Sequence, residues 1–204
     1  MPVPILNTSN PVNLGHPLAK GLVNWWKPLP HNWGGSVLYD VVGSVNATKA
    51  GTGTGWNGEQ ALGGSRSISG WTSSSYYSTS KTVAITGDYS VVVWWKLTST
   101  SSYSFALTGP GLAIHGLNSG GASFYLRTRD GGSVFNPTIS GVTIGAWQQF
   151  VCSAKASSTS YCYLDNITSS SFSEGSGTFS IGTLGNYSSW PFLGSIAEIK
   201  IYNR

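Results

Sequence analysis

Charge is what this sequence has least of. Only 9% of its 204 residues are Asp, Glu, Lys or Arg, so the formal net charge of +4 and the pI of about 9.1 come from a few cations. Lys20, Lys27, Lys49, Lys81, Lys96, Lys155 and Lys200 are spread along the chain, and Arg127 with Arg129 is the one close pair. A nucleic-acid surface needs a dense basic stripe that releases several counterions on binding, and this spacing excludes one. On a strand Arg127 and Arg129 would share a face, either as a small anion site or as a solvated polar edge. Long apolar runs are missing too: none approaches the ~18 residues that cross a bilayer. Met1-Pro-Val-Pro-Ile-Leu does not look like an export signal, having no basic stretch and a short, Pro-interrupted apolar run.

The residues that carry hydrolytic chemistry are equally sparse. The seven carboxylates are Asp40, Glu59, Asp88, Asp130, Asp165, Glu174 and Glu198, and no two sit at the alternating spacing that would face them across a strand. A glycosidase needs such a pair, about 5 Å apart in retaining enzymes, so no enzymatic activity is expected. His16, His31 and His115 show no H-E-x-x-H or H-x-H spacing, which leaves a zinc site without support. Gly53-Thr-Gly55-Trp-Asn-Gly58 matches G-x-G-x-x-G in letters only. With no strand before it and no helix after it, it reads as a flexible loop rather than a phosphate cradle.

What is present is the vocabulary of strands and turns. Gly (27), Pro (9) and abundant Ser, Thr and Asn punctuate short runs rich in Val, Ile, Tyr and Trp. No sustained helical period interrupts them, so the chain reads as a single all-β domain, a sandwich of many short strands. Its clearest strand is the last: in Phe192 to Arg204, Ala197, Ile199 and Ile201 alternate with Glu198, Lys200 and Tyr202. The early segment Gly21-Leu-Val-Asn-Trp-Trp-Lys27 is its expected partner. The domain is expected to run from 16 to 204, after an arm of about fifteen Pro- and Asn-rich residues, Met1 to Gly15.

These segments, together with "LYDVVGSVNAT", "YSVVVWWKL" and "AWQQFVCSAKASSTSYCYLDN", resemble the laminin-G-like, concanavalin-A-like lectin/glucanase superfamily, in that family's order. The resemblance implies a two-sheet antiparallel jelly-roll β-sandwich, with Trp94 and Trp147 at core positions. It does not imply one function, because the fold hosts lectins, glycosidases, adhesion modules and virion proteins. Asp40-Val-Val-Gly43-Ser-Val-Asn46 resembles the family's rim turn, which makes Asp40 and Asn46 calcium candidates; the other reading is a turn in which Asp40 caps its own backbone. If the hairpin after Trp147 turns near Ser157, Cys152 and Cys162 oppose each other on inward faces. They then form either a disulfide worth about 3 kcal/mol or two reduced, buried thiols.

The remaining signal is aromatic. Nine Trp, ten Tyr and seven Phe exceed what a core of this size needs. Trp33, Trp56, Trp71, Tyr76, Tyr77, Tyr103, Tyr187 and Trp190 lie among turn residues, where flat rings can stack on sugars or on a protein partner. His31, Trp33, Asn186, Tyr187 and Trp190, with Trp56 and Trp71, are the expected contact surface. The expected function is non-catalytic display or adhesion, as a multi-copy decoration or tail-associated protein of a phage virion with weak glycan binding. The alternative is a free-standing carbohydrate-binding lectin module. Glycans and other virion proteins are the expected partners, neither nucleic acid nor membrane is, and the expected place is a virion surface or the extracellular medium.

Overall fold

In the computed structural model, residues 16–28, 36–53, 55–60, 66–100, 104–109, 115–117, 124–127, 134–135, 141–173, 177–187 and 190–204 are described, those at 55–60, 104–105, 115–117, 124–127, 134–135, 168–170 and 187 by backbone alone. The first sheet runs in spatial order β14 (Ile167–Ser173), β13 (Thr159–Leu164), β12 (Trp147–Ala154), β7 (Tyr89–Leu97), β18 (Gly194–Tyr202), β5 (Arg66–Ser69) and β4 (Gly55–Gln60), with β1 (Leu22–Trp26) also paired to β18. The second runs β11 (Val134–Phe135), β10 (Phe124–Arg127), β9 (His115–Leu117), β8 (Ser104–Thr108), β15 (Phe179–Leu184), β6 (Tyr76–Ile85), β3 (Ala47–Ala50) and β2 (Val37–Leu38). A short ribbon, β16 (Asn186–Tyr187) with β17 (Trp190–Pro191), completes the set. The two antiparallel sheets pack face to face as a jelly-roll β-sandwich.

Alternation builds the core. Along β7, Tyr89, Val91, Val93, Trp95 and Leu97 point inward; β12 adds Phe150 and Cys152, and β18 adds Ile199 and Ile201. Tyr89 stacks on Phe179 of the opposite sheet, ring centroids 3.9 Å apart, and Trp95 stacks on Phe150 at 5.2 Å and Phe192 at 5.8 Å. Each such ring buries large apolar area, the dominant favourable term in folding. Trp94 and Trp147, expected in the core, lie instead half-buried on the outer face. The phase set by Tyr89 makes Trp95 the inward member of its doublet. At the start of β12 the inward position belongs to Gln148. Its Nε2 donates to Gly141 O (2.7 Å) and Asp165 Oδ2 (3.0 Å), and its Oε1 accepts from Thr143 N (2.8 Å).

The expected pairing of the last strand with the early one is present: Trp25 faces Lys200 and Trp26 faces Ile199. A bulge between Leu22 and Asn24 reverses the parity of β1, so Leu22 and Trp25 come to share the outer face. Cys152 lies directly opposite Cys162, both fully buried and both thiols. Two sequence expectations are corrected. Gly55 to Gln60 is not a loop: it pairs with β5, with Trp56 opposite Ile68, because ladder bonds outweigh the weak strand propensity of Gly and Asn. Tyr76 and Tyr77 belong to β6 rather than a turn, and Tyr77 is fully buried.

Candidate functional site

The outer face of the first sheet carries a groove of about 690 Å³. Register explains its lining. Trp25 opposes Lys200, Lys200 opposes Val92, Val92 opposes Val151, and Val151 opposes Tyr163, so one straight row crosses β1, β18, β7, β12 and β13. Four inter-strand steps make that row about 19 Å long. The next row places Tyr202, Ser90, Ser153 and Tyr161 side by side, and the one before it pairs Glu198 with Trp94 and Trp94 with Gln149. The centre is therefore an apolar valine floor. Hydroxyls of Ser90 and Ser153 and the Gln149 amide flank it, and Trp25, Tyr163 and Tyr202 stand toward its sides. His16 and Leu18 also line the groove, His16 capping the turn Pro17–Ala19, with its Nδ1 accepting from Leu18 N at 3.2 Å.

Positive charge gathers at the Trp25 end. Lys27 Nζ stands 4.2 Å from the centroid of the Trp25 ring and Lys200 Nζ stands 4.7 Å from it. Arg204 lies over Tyr202, 4.9 Å from its centroid. Glu198 is tied in twice: its Oε1 pairs with Lys200 Nζ at 2.7 Å and its Oε2 accepts from Trp25 Nε1 at 3.0 Å. Burial pulls the Lys27 ammonium below its ordinary pKa, and repulsion from Lys200 adds to that while Glu198 opposes it. Burial likewise raises the Tyr202 phenol, with Arg204 opposing.

Trp25 is positioned from behind by Asp40. Asp40 Oδ1 accepts from the backbone N–H groups of Trp25 (2.9 Å), Gly43 (3.0 Å) and Val42 (3.2 Å); Oδ2 accepts from Val45 N (3.2 Å) and from Asn24 Nδ2. Asn46 Oδ1 in turn accepts from Asp40 N at 3.0 Å. Five donors cover a carboxylate that offers about four lone-pair sites, the arrangement of a backbone-capping turn. Gly43 permits it, since a Cβ there would lie 2.7 Å from Val23 O.

Of the residues expected from the sequence, Trp71, Asn186, Tyr187 and Trp190 come together around the β16–β17 ribbon, away from the groove. Trp33 and His31 lie outside the described residues, as do Tyr103 and Arg129; of Trp56 and Tyr187 the backbone alone is described. Trp71 and Asn186 are corrections to the expected contact surface. Trp71 is only 6% exposed, packed on Gly185 and edge-on to Tyr77 at 6.0 Å. Asn186 is 5% exposed, and its Nδ2 donates to Ser73 O at 3.0 Å. Both fold back to cap the sandwich end, because burying an indole against a glycine removes apolar area from water that a turn would leave wet. Trp190, at 39%, is exposed. The sequence reading missed the groove. Its one available signal was the pairing of the first and last strands, which brings Lys27, Lys200 and Arg204 together although they lie far apart in the chain.

No protein-family model matches the sequence, and no curated protein does. Solved structures do match. Domain 4 of AbnA, a GH43 extracellular arabinanase from Geobacillus stearothermophilus, in complex with arabinotriose, superposes with a TM-score of 0.67 at 16% identity, over 89% of this chain and 92% of that one. The binding domain of Paraclostridial Mosquitocidal Protein 1 follows at 0.61 and 13%, over 90% of this chain and 49% of that one. The Trypanosoma rangeli sialidase in complex with sialic acid gives 0.58 and 13%, over 90% of this chain but 31% of that one. At such identities the likeness is one of fold: a β-sandwich shared with domains of carbohydrate-active and receptor-binding proteins.

Proposed function

We propose that this protein is a non-catalytic, lectin-like glycan-binding module whose site is the groove across β1, β18, β7, β12 and β13. The row Trp25–Lys200–Val92–Val151–Tyr163 carries the reading. A valine floor between aromatic sides takes the C–H faces of sugar rings, while the Gln149 amide and the Ser90 and Ser153 hydroxyls hydrogen-bond their hydroxyl groups. The fold shared with a domain bound to arabinotriose supports it, as does the sequence resemblance to the laminin-G-like, concanavalin-A-like superfamily. Support for a non-catalytic role comes from the acids whose side chains are described. Asp40, Asp165 and Glu198 are engaged as above, and Asp88 accepts from Ala156 N at 2.9 Å. Calcium is not needed on this reading, because Asp40 spends its oxygens on the turn.

Display on a phage particle is the wider setting, supported by the sparsely charged, hydroxyl-rich composition. There the Met1–Gly15 arm would sit between copies, and deleting it would abolish assembly while the sandwich stays folded. The test of the site is a glycan array probed with a multivalent form of the protein. Ser153→Trp fills the groove from an exposed position and Tyr163→Ala removes one side. A hit lost in both and kept in Trp190→Ala supports the groove. A hit lost only in Trp190→Ala moves the site to the β16–β17 ribbon, and a blank array rejects glycan binding.

A further inference from the structure

The groove has one chemically distinct end. In a chain with only 11 cations, Lys200 and Arg204 line this end of the groove and Lys27 stands beyond the lining, against the Trp25 ring, the three drawn from the two opposite ends of the sequence by the β1–β18 pairing. Among the described residues Glu198 is the one carboxylate in contact with this group, and both of its oxygens are taken, by Lys200 and by the Trp25 indole N–H. Among the described residues no carboxylate lies within ion-pair distance of Lys27 or Arg204. Lys27 is half-buried, whereas Arg204 is exposed and Lys200 is paired with Glu198, and a half-buried cation without an ion-pair partner raises the energy of the unliganded site. A further acid on the protein would relieve this in every state; none among the described residues does, which leaves the charge for a ligand. The Trp25 ring also bears ammonium groups on its face, so it holds cations in place instead of offering that face to an uncharged sugar.

We propose that the Trp25 end of the groove binds the carboxylate of an acidic saccharide, a sialic or uronic acid, with Lys27 and Lys200 as its charge partners and Arg204 beside them. This rests on the glycan-binding reading. The apolar floor and Tyr163 hold the uncharged rings, and the cationic end fixes which way the chain lies in the groove. A carboxylate held by charge-assisted hydrogen bonds in a partly dry site discriminates against its uncharged counterpart, because Lys27 is then left without an ion-pair partner.

Matched ligand pairs test it by titration calorimetry: sialyllactose against lactose, and oligogalacturonate against its methyl ester. The acid of at least one pair binds about tenfold or more tightly than its neutral partner, about 1.4 kcal/mol, and which pair does so separates the sialic from the uronic source. The advantage shrinks as NaCl rises from about 0.05 to about 0.5 M. Lys27→Met keeps the aliphatic stem and brings the ratio toward one, and Lys27→Arg restores most of it. Thermal unfolding of both variants checks that each is folded. Equal binding of acid and neutral partners, still abolished by Ser153→Trp, overturns the charge assignment and leaves the glycan reading standing. Failure of all four sugars to bind overturns both. Polyglutamate bound as tightly as the acidic sugar overturns the saccharide assignment in favour of an acidic peptide.

Discussion

Replacing Asp40 with Ala removes one carboxylate and strands five donors at once. Two of them, Val45 N and Asn24 Nδ2, are buried, whereas Trp25 N, Val42 N and Gly43 N are partly open to water. A buried donor without a partner costs about 1–3 kcal/mol and the open ones recover most of their loss from solvent, which puts the total near 4 kcal/mol. For a chain of this length that lowers Tm by about 8–16 °C. Asp40→Asn keeps one carbonyl oxygen but turns an amide N–H₂ toward donors, so about half the loss remains. Thermal and urea unfolding of the three proteins measures the series. Because Trp25 N is one of the five donors, Asp40→Ala also loosens the groove and weakens any ligand seated there. A loss under about 1 kcal/mol for Asp40→Ala would refute the reasoning. So would a calcium-dependent rise in Tm of the parent protein, since it would mean that Asp40 oxygens ligate a cation rather than cap the turn.

Oxidative refolding should join Cys152 to Cys162. Asp165 N donates to Gln149 O at 2.9 Å, so counting along the hairpin puts the cysteines at a non-hydrogen-bonded pair, where side chains are closest. The cross-link adds about 3 kcal/mol, or about 6–12 °C in Tm; free thiols by mass spectrometry after such refolding would contradict the facing geometry. Gly185→Ala drives a methyl group into the Trp71 ring at a residue with φ of 83°, so it should destabilise by about 2–4 kcal/mol, read by urea unfolding. The Lys27 ammonium should titrate below 10.5 in an NMR pH series and move upward when an anionic ligand is bound. Its folded value is depressed, so its penalty on stability is present at neutral pH. That penalty fades as pH rises through the folded value toward the unfolded one; a titration at or above 10.5 in the free protein would be incompatible with this.

Much of the fold was legible because period-2 alternation and opposed residue pairs are local facts. Ala197, Ile199 and Ile201 are buried as their spacing requires, and the hairpin count placed Cys152 against Cys162. What failed depends on phase or on distant neighbours. A tryptophan doublet does not say which ring points inward, and the resemblance that selects Trp94 points to the outer member, since Trp95 is the one in the core. A bulge in β1 has no sequence mark, yet it puts Leu22 on the same face as Trp25. Weak strand formers such as Gly55 and Asn57 read as loop until a partner strand supplies their bonds. The groove was the hardest to see, because its floor consists of ordinary outward residues. Val92 and Val151 mean nothing singly and become a surface only when the register of three strands aligns them.

The doublets Trp25-Trp26 and Trp94-Trp95 also bear on how the sheet avoids assembling wrongly. A strand that slipped by one residue would still bury an indole at the same place, but in β7 it would also turn Ser90 and Lys96 inward, so apolar burial opposes the slip there and is weakest as a guide in the short β1. The two indole N–H groups of the first doublet are not interchangeable. Trp26 Nε1 donates to Val45 O at 2.6 Å and Trp25 Nε1 to Glu198 at 3.0 Å, on opposite faces. Slippage would leave both without acceptors, at about 1–3 kcal/mol for each one buried. In β7 the hydrophobic effect sets both the strand and its phase, and in β1 two polar bonds proofread which of two alignments survives.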